Sequence, residues 1–67
     1  MPPGNVSAPE MLSWLLDHGS FWRLSVEIDH AGDRWEAAVF HGKALHVYED
    51  RNWREAVAKA YAAVRKG

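Results

Sequence analysis

Between Phe21 and Tyr48 apolar residues alternate at period two, and the alternation leaves both faces of the implied sheet partly apolar. An antiparallel sheet commonly packs one face on the core and turns the other to water. A chain with two apolar faces must cover the second with its own helices or offer it to a partner. Length sharpens the problem, because a domain of 67 residues buries only about 60% of the surface its unfolded chain exposes. The chain has no cysteine, which removes disulfides and cysteine-rich metal sites as staples and gives self-association more weight. Hydrophobic residues make up 48% and include four tryptophans, a composition that suits a packed domain rather than a disordered segment.

Five elements follow from the pattern. After a Pro/Gly-rich leader over residues 1–6, Ser7-Ala8-Pro9-Glu10 has the form of a capping box. Ala8, Met11, Leu12, Leu15 and Leu16 then recur at helical spacing up to a stop at Gly19, with Trp14 at the edge of their stripe. Phe21 to Ile28 reads as a strand with Trp22, Leu24, Val26 and Ile28 on one face and Phe21, Arg23, Ser25 and Glu27 on the other. A second strand spans Arg34 to His41, and Gly42-Lys43 suits a two-residue hairpin that pairs Phe40 with Leu45 and Ala38 with Val47 along a third strand, Ala44 to Glu49. Asn52 caps a final helix in which Trp53, Ala56, Val57, Ala60, Tyr61 and Val64 form one stripe. The expected fold is α+β, a single domain over residues 7–67 in the order α-β-β-β-α.

If the first hairpin also turns on two residues, Ala31-Gly32, the main core faces Trp22, Leu24, Val26 and Ile28 together with Trp35, Ala37, Val39, His46 and Tyr48. The second face then carries Phe21, Ala38, Phe40, Leu45 and Val47 at one end. These five are the expected protein interface, open if both helices pack on the other side and hidden if one helix packs on each. Trp22, Trp35, Trp53 and Tyr61 are expected in the packing, since they fall on the apolar sheet face or the buried helix stripe.

The same element order, at similar length and with a similarly alanine-rich last helix (here Ala56 to Arg65), resembles that of double-stranded RNA-binding domains. That resemblance implies both helices on one face of the sheet. It is one of topology: where those domains carry a lysine cluster this chain has Arg51-Asn52-Trp53-Arg54, its first helix offers Glu10 and Asp17, and Asp29 and Asp33 flank His30 in the first turn. Carboxylates at those places would repel phosphates.

Net charge is -1, but residues 1–50 hold eight acidic and three basic side chains, whereas residues 51–67 hold Arg51, Arg54, Lys59, Arg65 and Lys66 against Glu55 alone. The basic residues suit a solvated helix face and complement the helix dipole at its end; read more sharply, they are candidate phosphate contacts. His41 and His46 fall on one sheet face, two ligands where a zinc site uses three or four, and the oxygens of Asp29-His30-Ala31-Gly32-Asp33 lack the spacing of a calcium loop. His18, at the end of the first helix, complements its dipole. No catalytic residue, cofactor or metal is expected, and no nucleophile arrangement is recognisable. Met1-Pro2-Pro3-Gly4-Asn5 has neither the charge nor the apolar run of a secretory signal, and no run nears the ~20 apolar residues of a membrane span, so the expectation is a cytoplasmic protein. The function expected is a small non-enzymatic interaction module, a homodimer that binds a protein partner through a sheet face or edge. The alternative is a nucleic-acid accessory protein using its basic last helix.

Overall fold

The computed structural model describes residues 6–66, so the leader expected over residues 1–6 lies outside the described residues except for Val6. The chain runs α1 (Ala8–Asp17), β1 (Phe21–Asp29), β2 (Gly32–His41), β3 (Ala44–Asp50) and α2 (Trp53–Lys66), the expected α+β order. The strands form one antiparallel sheet with β2 in the centre. Among the described residues no helix is long and apolar enough to cross a membrane.

Local chemistry sets each boundary. Ser7 caps α1 by accepting from the Glu10 N–H at 3.4 Å, and its hydroxyl donates to the Glu10 carboxylate at 3.2 Å, so the glutamate closes the box on the side chain rather than on the Ser7 backbone. At the other end Gly19 N–H donates to the Leu16 carbonyl and Ser20 N–H to the Leu15 carbonyl. This pair of bonds requires a left-handed residue between them, and Gly19 supplies it at φ 68°. Asn52 caps α2 by accepting from Arg54 N–H at 2.9 Å. Its own N–H is taken by Asp50 Oδ1 at 3.1 Å, a role that spacing alone assigns to Glu55.

The second hairpin has the expected register, Phe40 opposite Leu45, Val39 opposite His46 and Ala38 opposite Val47. The first turns one residue earlier than expected. Asp29 faces Gly32 across His30-Ala31, Asp29 Oδ1 accepts from Ala31 N–H at 2.8 Å, and Gly32 takes up the positive φ of 112° that follows. Moving the turn by one position shifts the pairing by two residues, an even number, so Leu24 and Val26 keep the face shared with Trp35 and Ala37.

Both helices pack on that face. Leu15 from α1, Ala37 and Val39 from β2, and Ala56, Val57 and Ala60 from α2 are all fully buried in one cluster. Phe21, Leu24, Trp35, Tyr48, Trp53 and Tyr61 pack around it. Alanines on both sides of the contact let the α2 backbone approach the sheet closely, and α1 then closes the flank through Trp14, whose ring meets Tyr61 edge-on at 5.2 Å. The Cα envelope of 38 × 30 × 16 Å is correspondingly thin, the depth of one sheet and one helical layer.

Asp50 ties the end of the sheet to α2, since its carboxylate accepts from Asn52 N–H and from Lys59 Nζ at 3.0 Å. These bonds, the backbone one first, hold its pKa below the ordinary aspartate range. A depressed folded pKa means stability that is present above the unfolded pKa and lost as pH falls through the folded one. Asp50→Asn is therefore expected to lower Tm at pH 7, with the gap to the parent chain closing on acidification, as thermal melts at stepped pH would show.

Candidate protein-interaction face

The sheet face away from the helices carries Arg34, Glu36, Ala38 and Phe40 from β2, Leu45, Val47 and Glu49 from β3, and Arg23, Ser25 and Glu27 from β1. It divides into a charged half beside the first turn and an apolar half beside the second. Four of the five expected interface residues, Ala38, Phe40, Leu45 and Val47, lie together in the apolar half. Phe21 does not. The β1–β2 register slips between Phe21 and Arg23, which places one extra residue on β1, and Phe21 turns to the helix side to pack against the core.

The extra residue is Trp22, which was expected in the main core and instead stands 50% exposed on the open face. Its ring meets Phe40 edge-on at 6.5 Å, and the Arg23 guanidinium lies 4.8 Å over it. A bulge changes the phase of a strand without any residue type announcing it. Adjacent residues of any strand point to opposite faces, so the pair Phe21-Trp22 gives no sign of which ring turns inward. Trp35, Trp53 and Tyr61 do pack against the core as expected.

Within the apolar half Ala38 is only 3% exposed although no helix covers it. Its methyl lies between Arg23 and Val47 on the flanking strands, so taller neighbours wall it in. Around it stand the half-exposed side chains of Trp22, Phe40, Leu45 and Val47. An apolar area of this kind is what protein surfaces use for docking.

The charged half holds the Arg34–Glu27 ion pair and, directly across β2 and β3, Glu36 opposite Glu49. The nearness of the Glu49 carboxylate as a hydrogen-bonding partner, followed by partial desolvation and the charges of Glu27 and Glu49, raises the Glu36 pKa. Like charges directly opposed on a sheet are destabilising once both ionise.

The basic residues of the last helix do not line one stripe. Lys59 turns to the sheet, donating to Asp50 and to the Glu49 carbonyl at 2.9 Å. Arg54 and Arg65 lie three turns apart on one side, about 16 Å along the axis, each over an aromatic ring, Trp53 at 5.1 Å and Tyr61 at 5.3 Å. Arg51 precedes the helix and Lys66 ends it, both exposed. The His41 and His46 rings lie 6.1 Å apart, and among the described residues no group of three or more His, Cys, Asp or Glu side chains is set to hold a metal ion. His18 stacks on Trp14 at 3.6 Å with Nδ1 3.2 Å from the Trp14 carbonyl, so its ring is held by the helix end it follows. A shallow, open depression along α1 is lined by Pro9, Glu10, Ser13, Trp14 and Asp17.

No known protein family, curated protein or solved structure matches this chain.

Because the Glu36 pKa is raised in the folded state, its stability penalty is fully present above the folded pKa and relieved as pH falls toward the unfolded value. Glu36→Gln, which can donate an amide hydrogen to Glu49, is expected to raise Tm at pH 7 and to flatten the rise in Tm on mild acidification. Melting curves between pH 7 and pH 4 would check both.

Proposed function

We propose that this protein is a small, non-enzymatic interaction module that self-associates and binds a protein partner through its open sheet face. One observation carries the reading: both helices are spent on the same side of the sheet, so the apolar half of the other side is bare. Trp22, Phe40, Leu45 and Val47 supply large contact area, and aromatic anchors of this type dominate the energetics of protein interfaces. Ala38 is the small residue among these large ones, and Arg23 on one flank and Glu49 on the other supply a polar rim. The depression along α1 is open to solvent, and an enzyme needs a site that can exclude water.

Binding through this face depends on apolar contact and is weakly sensitive to salt. Binding through Arg51, Arg54, Lys59, Arg65 and Lys66 to phosphates would fall steeply as salt rises. With a photo-crosslinking residue at Val47 in the producing cell, the reading expects a defined protein adduct that persists in Arg54→Glu/Arg65→Glu and disappears in Phe40→Asp and Leu45→Asp. Both aspartate variants should keep the parent Tm within a few degrees, since the altered side chains are exposed. Adducts that follow the arginines and dissolve in salt would favour the nucleic-acid reading instead.

A further inference from the structure

The two edges of the sheet are not equivalent. In an antiparallel ladder the backbone N–H and C=O groups of successive residues alternate between the two sides of a strand. Asp29 pairs with Gly32 across a two-residue turn, and Phe40 N–H donates to the Ser20 carbonyl. Arg23, Ser25 and Glu27 therefore turn their backbone groups toward β2, and Leu24, Val26 and Ile28 turn theirs outward. On β3 the corresponding outward residues are Leu45, Val47 and Glu49, and Lys59 occupies the Glu49 carbonyl. A lysine on an edge is a common guard against strand addition. Among the described residues no side chain bonds to the outward backbone groups of Leu24, Val26 or Ile28, and β1 contains neither lysine nor proline.

The β1 edge is also self-complementary. About a twofold axis at Ser25, an antiparallel copy of β1 sets Arg23 against the partner's Glu27, Leu24 against the partner's Val26, and Ser25 against the partner's Ser25. This register meets the backbone requirement as well, because Leu24 and Val26 both turn outward and form the hydrogen-bonded pair. Arg23 and Glu27 lie on the open face, where opposite charges directly across a pair of strands attract. On the helix side Ile28, 76% exposed at the end of β1, falls diagonal to the partner's Leu24 and gains apolar cover.

From the free backbone groups, the charge complementarity and the shared register, we infer that the protein dimerises by pairing β1 with β1 of a second copy, centred on Ser25. The occupant of this edge is a second copy of the chain. Two three-stranded sheets then become one of six strands, with the apolar halves of both open faces on the same side. The inference rests on the self-association part of the proposed function and leaves the open face free for the protein partner.

Sedimentation across a dilution series tests it. Val26→Pro removes an outward N–H that the folded monomer does not use, so circular dichroism should stay native while the dimer is lost; Phe40→Asp should leave the dimer intact. Arg23→Glu and Glu27→Arg each set like charges across the axis twice and should weaken self-association roughly tenfold or more. Mixed together they restore two attractive pairs and should form a heterodimer. That complementation does not depend on whether the proline variant folds. A dimer lost in Phe40→Asp and kept in Val26→Pro would overturn the edge pairing while preserving self-association through the face. Failure of the charge-reversed pair to associate on mixing, with the parent chain a dimer, would overturn the Ser25 register. A parent chain that stays monomeric at every concentration would overturn this inference and the self-association reading together.

Discussion

The contact on which the rest depends is the seat of α2 on the central strand, where Ala56, Val57 and Ala60 meet Ala37 and Val39 with no exposed surface left. Small residues on both partners bring helix and sheet close, and a close approach leaves grooves on either side that larger side chains must fill. Leu15 and Trp14 from α1 fill one, with Tyr61 as the edge-on partner of Trp14. Trp35 and Tyr48 pack around the same cluster. The described residues form two helices, and this arrangement uses both on one side. The bareness of the other sheet face is thus a consequence of how the core is built.

A second consequence concerns how the open face is furnished. The bulge at the start of β1 sends Phe21 inward, where it joins the core, and Trp22 outward, where it meets Phe40. Without it, alternation would bury Trp22 and expose Phe21. The same face is charged at its far end, where Glu36 and Glu49 are opposed and the Arg34–Glu27 pair sits. The face is therefore charged at one end and apolar at the other, with Trp22, Phe40, Leu45 and Val47 exposed in the apolar half. The opposed glutamates cost stability at neutral pH, and nothing in the packing of the core requires them.

Much of this was legible in the sequence, for reasons that can be named. The α2 stripe and its Asn52 cap, the Gly19 stop and the Gly42-Lys43 hairpin are local signals, and local geometry determines them. The first turn was misplaced by one residue because Asp29, Gly32 and Asp33 are all turn formers; the faces survived because the error moved the pairing by two. Three features were not legible. Which side each helix takes depends on the close fit of Ala37, Ala56 and Ala60, and amphipathic spacing shows only that a face is buried. The bulge at Trp22 leaves no compositional mark. Ala38 lies on the second face as alternation predicts, but its burial there by neighbouring side chains, with no helix over it, is not something alternation shows. The element order shared with double-stranded RNA-binding domains is compatible with one-sided helix packing, but the sequence left one helix on each face equally open.

The central claim is that one face of the sheet is covered and the other is open within the monomer. The absence of native cysteine makes a direct measurement possible, the rate of maleimide labelling of single cysteines placed at Val47 and at Val39 under native conditions. At concentrations low enough that the rates no longer change on dilution, the account predicts that the Val47→Cys chain labels nearly as fast as when unfolded and that Val39→Cys is protected in proportion to global stability. Equal protection at both positions would mean that the second face is covered within the chain, and the account of an open docking face would be wrong.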